Sequence, residues 1–271
     1  MLPDSRRTVL EGARCGAHAA MPFDISQVET YQWALAIVSA MVIGMSKAGI
    51  TGLTLMFIPL MAISFGGRES TGILLPMLCV GDIFAVAWYR RHAEWQYLLK
   101  LLPSAVVGLG VGVAVGGRLS DDSFRFLLGG IIMVLLGMMI WQDVQKKELR
   151  YPQAWWFAVL AGLAAGFTTM IGNAAGAITS IYLLSMRLPK NAFIGTAAWF
   201  FLVVNLLKVP LQVFFWENIS AETLTFDAIM IPAIAVGAVI GIVATGKIPE
   251  RAYRIFVIVM TGVAGVLLLA L

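Results

Sequence analysis

The stretch Tyr31–Phe65, YQWALAIVSAMVIGMSKAGITGLTLMFIPLMAISF, decides the fold. It holds one charged residue, Lys47, in 35 positions. A straight helix of that length would run to about 52 Å, whereas the hydrocarbon core of a bilayer is about 30 Å thick. Small and polar residues interrupt the middle of the run: Gly44-Met-Ser46-Lys47-Ala-Gly49-Ile-Thr51-Gly52. Glycine tolerates the backbone angles of a bend. The run therefore reads as two short helices joined at that place.

A second stretch repeats the pattern. Ala154–Met186 spans 33 residues and is broken by Gly166-Phe-Thr168-Thr169-Met-Ile-Gly172-Asn173-Ala-Ala-Gly176. Six further apolar runs, at 70–89, 97–116, 122–141, 192–215, 224–245 and 252–271, have the length of one crossing. Across the 271 residues 60% are hydrophobic, 13% are charged and the mean hydropathy is +0.88. Soluble domains carry about 25% charged residues, so this chain is an all-α polytopic membrane protein. Residues 1–30 form a polar N-terminal extension without the apolar core of a signal peptide, and Met21 offers an alternative start.

The two halves are related. Pro103, Gly108, Gly112, Gly117, Arg118 and Arg125 recur 129 positions later as Pro232, Gly237, Gly241, Gly246, Lys247 and Arg254. At an offset of 123, Gly49 meets Gly172, Gly72 meets Gly195 and Asp82 meets Asn205. This divides the chain into repeats at 31–141 and 154–271, joined by the linker 142–153. Charge decides how the long runs cross. If each crosses once, the loop and terminal Lys and Arg divide nine against eight, which is no bias. If each is a hairpin, eleven gather on one side, among them Arg90, Arg91, Lys146, Lys147, Arg150, Lys190, Lys247 and Arg251, and six remain opposite. The positive-inside rule favours hairpins, with that linker cytoplasmic and the protein multi-pass in the inner membrane. Each half then has an odd number of segments, which predicts inverted repeats.

No nucleophile elbow, P-loop, HExxH motif or paired His/carboxylate site lies within the apolar runs, so no enzyme is expected. No metal site or cofactor is expected either, because His18, His92 and Cys15 lie outside the apolar runs and Cys79 has no partner spacing. The small spread charge argues against nucleic acid. What remains is a pair of broken helices, whose free N–H groups attract anions. Lys47, at the first bend, is an ionisable residue inside the bilayer. Asp82 lies deep in its run and is placed to pair with Lys47, carry a proton or cap a broken helix. Asn205 takes the corresponding position, followed by Lys208 and Pro210. The candidate substrate-binding residues are Ser46, Lys47, Gly49, Thr51, Gly52, Asp82, Gly172, Asn173, Gly176, Thr196 and Asn205. Simple helix packing through small residues remains the alternative for the glycines.

These residues resemble a known family. Gly44-x-x-Lys47-x-Gly49-x-x-Gly52 with Pro59 following looks like the first signature of the TauE/SafE sulfite exporter family. Gly172-Asn-Ala-Ala-Gly176, Gly195-Thr196 and Asn205 form its counterpart in the second half, and the likeness covers 31–271. The chain departs from the pattern by carrying Asn173, Ala174 and Ala175 where such members usually run through glycines. The resemblance implies export of sulfite or a small organosulfonate such as sulfoacetate, without ATP. An anion channel and a non-transporting assembly or sensor protein remain open. The expected partners are a small anion and the lipid bilayer, with homodimerisation left open.

Overall fold

The computed structural model describes residues 23–47, 53–145, 155–186, 188–244 and 250–270. Lys146, Lys147 and Arg150 of the linker lie outside them, as do Gly49, Thr51 and Gly52 of the first bend. Among the described residues there are ten α-helices and no strand. Gly67–His92, Trp95–Gly116, Trp155–Gly172, Asn191–Trp216 and Ala221–Val243 are long and apolar enough to cross a membrane. Large apolar side chains such as Phe214, Phe126 and Val134 face outward. The chain is a multi-pass membrane protein.

Both long apolar runs fold as helical hairpins. The first gives α1 (Thr30–Lys47) and α2 (Thr54–Phe65). At the bend, Thr54 Oγ1 donates to Ser46 Oγ over 2.9 Å. At the open end, Gln32 Nε2 donates to the Ser64 carbonyl over 2.6 Å. The start of α1 and the finish of α2 therefore lie together, which a single bent crossing would forbid. After α3 (Gly67–Tyr89), α4 (Trp95–Gly116) and α5 (Asp121–Gln145), the second run gives α6 (Trp155–Gly172) and α7 (Gly176–Ser185). Phe157 near the start of α6 and Tyr182 near the finish of α7 bring their rings within 6.2 Å. The bend turns at Asn173, whose φ of 56° is left-handed. Asn tolerates that region better than other side chains do, short of glycine.

The chain closes with α8 (Lys190–Leu211), α9 (Ala221–Ala244) and α10 (Glu250–Ala270). The first hairpin arm of each half packs on the other half: α1 lies along α9, and α6 along α4. Glycines permit both approaches. A Cβ added at Gly237 would lie 2.0 Å from the Met41 carbonyl oxygen, and one at Gly108 2.3 Å from that of Leu163. These are the two glycines that the 129-residue offset relates. Between these flanks α3 packs on α8.

The bundle has two distinguishable ends. Arg68, at the start of α3, donates to the Gly116 and Leu119 carbonyls and takes Asp121 Oδ1 on its backbone N–H. Asn218 Nδ2 donates to the Arg68 carbonyl, bringing the turn after α8 to this Asp121 end. At the opposite, Tyr89 end, the Glu94 N–H donates to Thr196 Oγ1 and Tyr182 Oη to the Tyr97 carbonyl. The exposed Trp95, Trp141, Trp155 and Trp156 suit an interfacial belt. Trp216 does not: it is buried, its Nε1 donates to the Val113 carbonyl, and its ring stands edge-on to Phe124.

Candidate functional site

The two bends and the middles of α3 and α8 enclose a cavity of about 90 Å³. Ser46, Lys47 and Thr54 reach it from the first hairpin, and Thr169, Asn173, Gly176 and Ser180 from the second. Leu55, Leu78, Phe193, Ile194 and Phe201 supply an apolar wall, and Asn205 lies at its deep end. The lining extends toward the Tyr89 end as far as Ala85 and Phe193, each about one turn from its helix terminus. The starts of α2 and α7, where Thr54 and Gly176 stand, both open on the cavity. Their free N–H groups place partial positive charge there. No Cβ contact would arise at Gly176, which leaves that backbone open to a ligand.

Lys47 ends α1 and does not reach the headgroups. Its Nζ lies 2.6 Å from Asp82 Oδ1 and 4.3 Å above the Phe201 ring. Gly81 allows this, since the Lys47 stem passes against the place a Cβ would occupy. Asp82 is fully buried, and its Oδ2 accepts from Asn205 Nδ2 over 2.7 Å. An unpaired buried carboxylate would cost several kcal/mol. Here one cation and one amide satisfy it.

Lys208 carries the second buried cation. It is 0% exposed, one helical turn beyond Asn205 on the same face of α8. Its Nζ donates to Asn173 Oδ1 and, over 3.4 Å, to Thr169 Oγ1. Both partners are neutral and both line the cavity. The site thus brings two lysines, Lys47 and Lys208, against one carboxylate, Asp82, before the helix N-termini are added. A surplus positive charge in a dry site is stabilised when an anion occupies it.

The structure gathers Ser46, Lys47, Asn173, Gly176 and Asn205 at the cavity, with Asp82 directly behind. Gly172 lies at the end of α6 under the Leu128 side chain and does not line the cavity. Thr196 is committed elsewhere: its hydroxyl donates to the Ala192 carbonyl and caps the approach to α4 through the Glu94 N–H. Sequence reasoning did not select Lys208. Its three-residue spacing from Asn205 is the signal that points to it.

Two broken-helix hairpins meet at this cavity, and the comparison with known families says to which family such a bundle belongs. Residues 36–268 match the family described as Sulfite exporter TauE/SafE. The chain belongs to that family. No curated protein and no solved structure matches it. In this TauE/SafE member Gly44 and Lys47 lie on α1 and Pro59 on α2, with Lys47 tied to Asp82.

Proposed function

We propose that this TauE/SafE protein is a secondary transporter that carries sulfite or a short organosulfonate out of the cytoplasm. The observation that carries the reading is Lys208: a fully buried lysine behind the cavity wall, held by the neutral Thr169 and Asn173 that line it. A structural lysine in such a place would be expected to have a carboxylate partner. A lysine kept for an incoming anion needs its charge free. A sensor or assembly protein has no comparable need for the site.

Inverted repeats supply the machinery. Each hairpin returns to its starting end, so each half contributes five helices and enters the membrane from the opposite side. The exchanged packing of α1 on α9 and α6 on α4 supports this arrangement. The Tyr89 end carries Arg90 and Arg91, which favours the cytoplasmic face of the inner membrane. The cavity would then load from the cytoplasm. With the cytoplasm negative, each negative charge leaving gains about 2.3 kcal/mol per 100 mV. Export needs no nucleotide.

Purified protein in proteoliposomes loaded with sulfite tests the reading. Efflux above protein-free vesicles, faster when the exterior is positive, is the expected result. No efflux of sulfite or sulfoacetate under either polarity would reject it.

A further inference from the structure

The 123-residue offset pairs the walls of the cavity with residues that are packed shut. On α8, Phe193, Ile194, Ala197 and Ala198 line the half of the cavity that extends toward the Tyr89 end. Their counterparts on α3 are Ser70, Thr71, Leu74 and Leu75, each 1% exposed or less. The relation holds in the other direction. Ala85 lines the open half, and its counterpart is the fully buried Lys208. Ser46 and Thr169, also 123 apart, both line the cavity at its centre.

The packed half is not sealed as an apolar core would be. A hydrogen-bonded column leads from the cavity to the Asp121 end. Asn173 Nδ2 donates to the Thr71 carbonyl over 3.3 Å. Thr71 Oγ1 accepts from Gln212 Nε2 at 3.4 Å and from Asn218 Nδ2 at 3.2 Å. Asn218 continues to the Arg68 carbonyl at 2.9 Å. Arg68 Nε, Gln212 Oε1 and Asn218 Oδ1 are buried without a protein partner among the described residues. Polar atoms left unmatched inside a membrane protein are costly, and they mark paths for polar solutes. The helix is locally unwound beside them: Gln212–Trp216 form a π-turn, a feature frequent at functional sites.

We propose that these residues are the closed outward half of the transport path. In the alternate state Ser70, Thr71, Leu74 and Leu75 line a second cavity, headed by Lys208, that releases the oxyanion at the Asp121 end. The column of Thr71, Gln212, Asn218 and Arg68 is the gate that parts to open it. Lys208 faces the anion in both states, through Thr169 and Asn173 in one and directly in the other. This rests on the exporter reading and on the inverted halves, and it adds the residues that form the exit.

Single cysteines at Leu74 and Ala197 test it, in a chain whose Cys15 and Cys79 are replaced by serine and alanine. A membrane-impermeant maleimide is applied to one face of vesicles at a time, before sulfite is added. Leu74→Cys should react only from the face that labels Asp121→Cys, although it is buried here, and Ala197→Cys only from the opposite face. Alkylated Leu74→Cys should then lose at least nine-tenths of its sulfite efflux. Ser70→Cys exchanges only an oxygen for a sulfur and gives the same readout should Leu74→Cys fail to insert. If the cysteine-free parent exports sulfite but neither position reacts from the Asp121 face, the second cavity is rejected while the exporter reading stands. A parent without efflux rejects the exporter reading itself.

Discussion

Asp82 and Asn205 stand 123 residues apart, the offset that relates the two halves, and they bond directly to each other across the α3–α8 contact. The pseudo-symmetric positions thus meet at the centre of the bundle, and the asymmetry between them is chemical. The first half supplies the carboxylate that holds Lys47, and the second supplies an amide that cannot titrate. These contacts lead to the prediction that Asp82 serves as a fixed counter-ion to Lys47.

Replacing Asp82 by Asn should therefore expose the cost of an unpaired Lys47. Losing one partner of a buried pair costs about 3–5 kcal/mol, which thermal unfolding in detergent should register as a markedly lower Tm. The double variant Lys47→Met/Asp82→Leu should recover much of that loss, since neither charge remains. A single Asp82→Asn variant as stable as the parent would show that the pair holds nothing together.

The glycines of the exchanged packing give a symmetric test. Gly108→Ala and Gly237→Ala each drive a methyl into a backbone carbonyl of the facing hairpin arm. Overpacking of this kind costs about 1–3 kcal/mol or more. Both should reduce folded yield and Tm to a similar degree. Gly110→Ala, two residues from Gly108 with nothing within 4 Å, is the control and should be neutral. Unequal effects at 108 and 237 would count against equivalent roles.

Cysteines at positions 121 and 190 report the path of the chain. Asp121 begins α5 and Lys190 begins α8, at opposite ends of the bundle. Asp121→Cys should react with an impermeant reagent outside the cell, and Lys190→Cys should not. Labelling of 190 alone would invert the assigned orientation, and equal labelling of both would contradict the hairpins.

Much of the fold was legible because length is a physical constraint. A 35-residue apolar run cannot cross once in a straight line, and the loop cations sort only if it turns back. The site was legible where a residue broke the apolar pattern at a matching offset, as Asp82 and Asn205 do. It was less legible where the answer depended on helix rotation. Lys208 and Thr196 both lie on α8, where apolar residues run all round the helix, so only the spacing of Lys208 from Asn205 hints at which face turns inward. The structure turns Lys208 to the cavity wall and Thr196 to the Glu94 backbone. The hydrogen-bonded column was hidden for a related reason. Thr71, Gln212 and Asn218 come from two helices and a turn, and nothing in the spacing of 71 and 212 announces their contact.

The central claim is that Lys208 is kept buried and free of a carboxylate in order to hold the transported anion, and Lys208→Met tests it most directly. A buried charge without an ionic partner carries a large desolvation cost, which an apolar side chain of similar length removes. The variant should therefore fold and insert with a Tm equal to or above that of the parent. The rise in Tm that sulfite gives the parent should vanish, and efflux from proteoliposomes should fall at least a hundredfold. A Lys208→Met protein that still exports sulfite near the parental rate and is still stabilised by it would contradict the account.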